Sequence, residues 1–312
     1  MYEVPSYTKV LTIGARGTEH LLRGEVVVQE KVDGSQFAFG IDAEGNTGCR
    51  SHHQQLDMNG GAGMFEEAVK HVRAVKYELG LLWRAGGEAP MTLYCEYLQK
   101  PKHNSLAYER TPSHHLVLFD ALDNGNWVSA DMLRGFAEEL GIDAIPELYR
   151  GPVASMDELN PLLATRSYLG GQTVEGIVIK NYAELLALGG NTYPVFCKWV
   201  NQAFKERNDK NWAKESNKGK LEAYLESFCA EGRWAKAVQH LREQDRLLDA
   251  PQDIGPLIKE IQRDVEEEEA ENIKRDLYRM YIGEIKRHAT RRFPEWYKEQ
   301  LAARITGEEE AA

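Results

Sequence analysis

At 312 residues, 42% hydrophobic and 28% charged, the chain has an ordinary globular composition and room for one large domain with a smaller companion. No apolar run is long enough to cross a bilayer and MYEVPSYTKV has no signal-peptide pattern, so no membrane partner and a cytoplasmic location are expected. The net charge of -11 argues against a protein that coats nucleic acid, but is compatible with an enzyme that has a local basic channel.

The alternation in LLRGEVVVQE predicts a strand over Val26 to Glu30 that delivers Lys31 into the segment EKVDG. Gly34 reads as a sharp turn, and Ser35 to Gly40 resume as a strand. Lys31 then sits on rigid backbone at the mouth of a pocket, where nearby cations or partial desolvation would lower its pKa and make the amine nucleophilic. The plain alternative is a hairpin turn with a solvated lysine. Arg50 follows a second strand pair, in NTGCRS. Met64 to Arg84 has helical spacing, with Phe65, Ala68, Val72, Val75 and Leu79 on one stripe. Strands follow at MTLYCEYL (91–98), with Glu96, and at HLVLFDAL (115–122), with Phe119 and Asp120. Ala130 to Leu140 is helical, and TVEGIVIK (173–180) and YPVFCKWV (193–200) are strands carrying Glu175, Gly176, Lys180 and Lys198. Strands with helices set outside them predict an α+β domain of antiparallel sheets.

After Glu206 the alternation stops and charged amphipathic helices are expected over Lys210 to Cys229, Gly232 to Leu248, Asp253 towards Arg287, and Phe293 to Ile305. The boundary falls near 205–212, which divides the chain into 1–206 and a small all-helical part, 207–312. The second part holds the denser supply of cations, 20 Lys and Arg against 23 Asp and Glu. The EEEE run at 266–269 and the terminal GEEEAA read as solvated charge. Cys49, Cys95, Cys197 and Cys229 are far apart, which fits reduced, mostly buried thiols rather than a zinc or redox pair.

Each polar residue named above interrupts an apolar strand once, and buried charges need partners or a ligand. Together they predict one site that holds both anions and a cation. His52-His53 and His114-His115 lack ligand spacing and read as non-metal residues, although His52 and His53 could touch substrate from a loop. GARGTEH is not a phosphate-binding P-loop.

In this order the residues resemble the motifs of the covalent nucleotidyltransferase superfamily, and within it the ATP-dependent RNA ligases typified by bacteriophage RNA ligase 2. KVDG is similar to the nucleotidyl motif KxDG, which implies that Lys31 becomes adenylylated. Arg50-Ser51 resembles the arginine-serine pair that follows, with Arg50 facing phosphate. Glu96 matches the glutamate that binds the nucleoside sugar, Phe119 in LVLFD the residue that stacks on adenine, and VEGIVIK the motif with Glu175 towards the metal and Lys180 towards the phosphates. Glu30 joins the nucleotide-binding set. The fifth motif departs. Anchoring KWVNQAFKE on Asn201, Phe204 and Glu206 makes Lys198 its first lysine and puts Val200 in place of the second; a shifted frame loses the first instead, at Phe196.

The resemblance implies a nucleotidyltransferase (ATP-grasp-like) fold, with ATP and Mg²⁺ as cofactors and Mn²⁺ able to substitute. Glu175, with Asp33 or Glu96, would hold the ion through water. It further implies ligation of RNA 3′-hydroxyl and 5′-phosphate ends, in nicked duplex RNA or an RNA/DNA hybrid, by a monomer. The helical tail would clamp the duplex, and fewer than half of Arg233, Lys236, Arg242, Lys274, Arg275, Arg279, Lys286, Arg287, Arg291 and Arg292 are expected to touch backbone phosphates. A DNA nick-sealing ligase, a capping guanylyltransferase and an end-binding module without catalysis are the alternatives. The first two are disfavoured by the lack of a small barrel pattern after the fifth motif.

Overall fold

The alternating run that leads to Lys31 folds as an inner strand of one of two facing sheets in a computed structural model, which describes residues 2–15, 17–104, 106–188, 191–201 and 217–306. In chain order the strands are β1 (Leu11–Thr12), β2 (Glu25–Lys31), β3 (Ser35–Ile41), β4 (Thr47–Ser51), β5 (Gln55–Leu56), β6 (Met91–Tyr97), β7 (Leu116–Asp123), β8 (Asn126–Trp127), β9 (Asp143–Ala144), β10 (Glu147–Pro152), β11 (Gly176–Leu188) and β12 (Asn191–Val200). The helices are α1 (Glu66–Ala74), α2 (Lys76–Ala85), α3 (Ala130–Glu139), α4 (Asn217–Glu226), α5 (Glu231–Glu243), α6 (Ile254–Thr290) and α7 (Phe293–Thr306). The first sheet runs β1-β12-β11-β2-β10. The second runs β5-β4-β3-β6-β7-β8, with β9 beside β7. Neighbours are antiparallel except β1 on β12 and β9 on β7. The expected α+β architecture forms: antiparallel sheets with flanking helices, then the helical bundle α4–α7.

Period-two alternation sorts each strand between a core and a cleft. On the first sheet Val26, Val28, Ile177, Ile179, Val195 and Cys197 face an outer core with Leu159, and the residues between them face inward. On the second, Phe37, Phe39, Leu93, Cys95 and Leu118 pack beneath Phe65, Val69, Val72, Leu79 and Leu133 of the helical layer. Each such side chain contributes roughly 1.5–3 kcal/mol of burial. Both cores are built from residues before 201.

The helix expected over Met64 to Arg84 is two helices, because Val75 leaves helical geometry (φ -93°, ψ 18°) and lets α1 and α2 press on the same core. The final hairpin is longer than expected, since β11 runs on to Leu188 through an irregularity between Asn181 and Leu185. The boundary near 206 lies outside the described residues, as do Phe204, Glu206 and the start of the first tail helix. Among the described residues no helix is long and apolar enough to cross a membrane. Cys49, Cys95 and Cys197 are buried and Cys229 is exposed.

Candidate active site

Strand register brings Lys31 and Glu175 together. Gly176 of β11 is the partner of Lys31 on β2. A Cβ at Gly176 would lie 2.5 Å from the Trp199 carbonyl oxygen and 2.8 Å from Val200 Cα, so only glycine lets β11 lie this close to β12. Glu175 therefore enters the sheet level with Lys31, and its Oε2 is 2.6 Å from Nζ.

Gly34 lies in the bend between β2 and β3, and glycine is required there for a similar reason: an added Cβ would meet Glu96 Cγ at 2.6 Å and the Tyr97 carbonyl at 2.8 Å. The KVDG loop is tied down on three sides. The Asp33 amide donates to the Tyr108 hydroxyl at 2.8 Å, and the Asp33 carboxylate accepts from the Leu106 amide at 2.7 Å. The Gly34 carbonyl accepts from the side-chain amides of Asn104 and of Gln239 on α5, each at 2.8 Å.

Carboxylates, not the expected cations, surround the amine. Burial alone would favour neutral Lys31, but Glu175, Asp33 and Glu96 outweigh it and raise its pKa. The expectation of a lowered pKa is corrected for the protein without ligand. Burial pushes the Glu96 carboxyl up to about 8 against the pull of Lys31, with Glu243, Glu175 and Asp33 adding to the rise. Burial also raises Glu175, opposed by Lys31.

Phe119 stands at the cleft with Tyr7 against it edge-on, at 5.1 Å between ring centroids and 83° between planes. The Tyr7 hydroxyl donates to Asp120 at 2.8 Å. Lys180 differs from the phosphate-facing position implied by VEGIVIK. It is 1% exposed, and its ammonium donates to the Asp120 carboxylate and the Phe119 carbonyl, both at 2.9 Å, among the rings of Tyr7, Phe119 and Phe196. A lysine this deep needs a counter-charge, and Asp120 supplies it. Arg50 also differs: its guanidinium donates to the carbonyls of Ser51, Val4 and His52 and does not line the cleft, because the N-terminal segment lies across it. Lys198 does line it and donates to Glu268 of α6 at 3.2 Å. Glu30 accepts from the Tyr168 amide at 3.0 Å through Oε2, with the Ser167 hydroxyl also nearby, and its Oε1 is buried.

Glu30, Lys31, Asp33, Glu96, Phe119, Glu175, Lys180 and Lys198 line one cavity of about 1070 Å³, large enough for a nucleotide. The tail helices close one side of it with Lys236, Gln239, His240, Glu243 and Glu268. His52 and His53 lie at this rim, with His53 and His240 rings 5.1 Å apart. Burial, then the neighbouring His52 and His240, hold His53 down to about 4. Among the described residues no group of three or more His, Cys, Asp or Glu is arranged to hold a metal ion. The donor set fits a hydrated magnesium-type ion held by one or two carboxylates and substrate phosphates, not an all-protein cage.

Two tail expectations are corrected. Arg233 is 1% exposed, its guanidinium bound to Asp264 and, at 3.0 Å, to Glu269, so it cannot meet a nucleic-acid backbone. Two of the EEEE glutamates turn inward: Glu268 to Lys198 and Glu269 to Arg233. Sequence reasoning missed Tyr7, Gln239, His240 and Glu243 as parts of the site. No local pattern marks them, since tertiary packing alone brings them there.

A nucleotide-sized cleft between antiparallel sheets, with a lysine at the end of an inner strand and a glutamate 2.6 Å from it, fits a covalent nucleotidyltransferase. A family model described as RNA ligase matches residues 24–200, over half of the sequence, and the chain belongs to the RNA ligase family. Solved structures of Naegleria gruberi RNA ligase are similar. With PPi, identity is 15% over 65% of this chain and 58% of that one, at a TM-score of 0.48. A mutant with ATP and Mn gives 13%, 64%, 57% and 0.46, and a mutant with AMP and Mn gives 15%, 65%, 58% and 0.48. The present chain thus spans less than two thirds of that protein's length. Comparison with curated proteins gives no match.

Proposed function

We propose that this chain is an ATP-dependent RNA ligase of the bacteriophage RNA ligase 2 type, sealing 3′-hydroxyl and 5′-phosphate ends held in a nicked or bridged duplex. The observation that carries the proposal is the Lys31–Glu175 pair at 2.6 Å, inside a cavity that Phe119 and Lys198 also line. In the first step the Lys31 ammonium releases a proton to water and its nitrogen attacks the α-phosphorus of ATP. A nitrogen–phosphorus bond forms, the bond to the bridging oxygen breaks, and pyrophosphate leaves with the electron pair. Glu175 and Asp33 would hold a magnesium-type ion, or manganese in its place, which would supply charge that disfavours the ammonium and neutralises the triphosphate. In the second step a 5′-phosphate oxygen of the RNA takes the AMP from Lys31, which regains its proton. A 3′-hydroxyl oxygen then attacks the activated 5′-phosphate, its proton passing to water; the bond from that phosphorus to the bridging oxygen breaks, and AMP departs with the electron pair.

The nucleotide is recognised by shape and by one buried acceptor. Phe119, braced by Tyr7, offers a flat face for the base. Glu30, whose Oε1 is buried and which lines the cavity, suits the 6-amino group of adenine, whereas guanine would set a carbonyl oxygen against it. Glu96 is assigned to the sugar, Lys198 to the phosphates, and Lys180 to fixing Phe119 through Asp120. Arg50 reaches phosphate only if the N-terminal segment lifts. Residues 1–206 form the adenylyltransferase part and 207–312 the clamp, acting as a monomer in the cytoplasm.

Incubation with α-labelled ATP or GTP and Mg²⁺ tests the proposal. Label should stay on the protein from ATP only and vanish in Lys31→Ala. Label retained by that variant would remove Lys31 as the nucleophile. Chasing labelled protein with nicked duplexes carrying RNA or DNA on the 3′ side should release AMP to the RNA-containing substrate, and a preference for DNA would overturn the substrate assignment.

A further inference from the structure

Among the described residues lining the cavity, carboxylates outnumber lysines and arginines ten to six. A polyanionic triphosphate can settle there only where cations gather locally. Lys31 is paired with Glu175 and Lys180 with Asp120, and the fifth motif is one lysine short, at Val200 or, in the shifted frame, at Phe196. Three other lysines, from three separate parts of the chain, line the same cavity. Lys9 lies on the N-terminal segment, Lys198 on β12 and Lys236 on α5, and Glu268 of α6 is within reach of the charge of each. The Glu268 carboxylate is 3.2 Å from the Lys198 ammonium. One turn earlier on α6, Asp264 holds the Lys236 ammonium at 2.7 Å. Burial would raise the Glu268 carboxyl, but Lys198, Lys236 and Lys9 bring it down to about 2.

Two lysines held by neighbouring carboxylates of α6, with a third lining the same cavity, form an anion site, and the anions in it are carboxylates of the chain itself. We propose that Lys9, Lys198 and Lys236 bind the β- and γ-phosphates of ATP, which leave as pyrophosphate, and that Glu268 fills this site until the nucleotide displaces it. The inference rests on the ATP reading above and adds to it two lysines outside the motifs and an internal competitor. It also accounts for the altered fifth motif: the tail helix α5, not the sheet, brings the further cation. Exchange is favourable because pyrophosphate offers several charged oxygens to the lysines where Glu268 offers two.

The test is binding of inorganic pyrophosphate to the full chain by calorimetry. Removing the competitor in Glu268→Gln should tighten binding by about tenfold, since the site is then always open. Lys236→Ala should weaken it by about tenfold and Lys236→Arg should restore most of the loss, because either cation neutralises a phosphate oxygen. AMP affinity, which does not depend on this site, should be unchanged in all three. A gain in affinity cannot come from a damaged fold, so Glu268→Gln decides the matter even if Lys236→Ala misfolds. Pyrophosphate binding no tighter in Glu268→Gln than in the wild type overturns the inference. Wild-type labelling by ATP is measured alongside: missing label would overturn the ligase reading, whereas normal label with unchanged pyrophosphate binding would overturn only this site.

Discussion

Lys31 and Glu96 both hold protons more tightly than they would in water, for opposite reasons. Lys31 keeps its proton because three carboxylates outweigh the effect of burial; Glu96 keeps its own because burial outweighs a lysine. The second effect has a definite sign for stability. With a carboxyl at about 8 in the fold and near 4.5 when unfolded, the native state binds the extra proton between those values, so stability falls as pH rises through that window. Denaturation between pH 5 and 9 should show the wild type losing on the order of 2–4 kcal/mol relative to Glu96→Gln. Parallel curves for the two proteins would mean that Glu96 is not held neutral. At the back of the cleft, Asp120→Ala leaves the Lys180 ammonium buried without its counter-ion and should cost roughly 3–5 kcal/mol. Because Tyr7 and Lys180 also lean on Asp120, the same variant should weaken ATP binding, which equilibrium titration would detect; unaltered affinity would detach Phe119 from that network.

At the scale of elements, α5 and α6 are joined by a buried charge cluster rather than by a wide apolar seam. Arg233→Ala strands Asp264 and Glu269 and should destabilise the bundle by roughly 3–5 kcal/mol while leaving the sheets intact. Hydrogen exchange would show faster exchange in α5 and α6 and unchanged protection in β2, β3 and β11; uniform acceleration would contradict an independent sheet core. The strands were legible because alternation with a period of two puts Lys31, Glu96, Phe119 and Lys198 on inward positions, and a single polar residue in an apolar run stands out; Glu175 lies just ahead of β11 and is not placed by that alternation. The break at Val75 was not legible, since a helical stripe continues across it. Nor were the directions of Arg50 and Lys180, whose partners, the Val4 carbonyl and Asp120, are 46 and 60 residues away in sequence. EEEE reads as a solvated face in any isolated helix, and only the packing of α6 over β12 gives Glu268 a lysine to meet.

At the scale of the whole molecule, the two hydrophobic cores lie within the first 200 residues, while the tail reaches the cavity through Gln239, Lys236 and Glu268. Truncation after about residue 210 should therefore leave a folded protein that still takes up label from ATP at a reduced rate but no longer seals nicks. Equal loss of both activities would show that the tail is part of the first step throughout. Arg279, Lys286 and Arg287 of α6 and Arg291 and Arg292 just after it are exposed, and so available to the duplex clamp proposed above. All of this depends on one covalent event at the cavity floor. Peptide mass spectrometry after incubation with ATP and Mg²⁺ is its most direct measurement: a single AMP adduct is predicted on the peptide that contains Lys31. An unmodified Lys31 peptide, or an adduct on any other residue, would contradict the account.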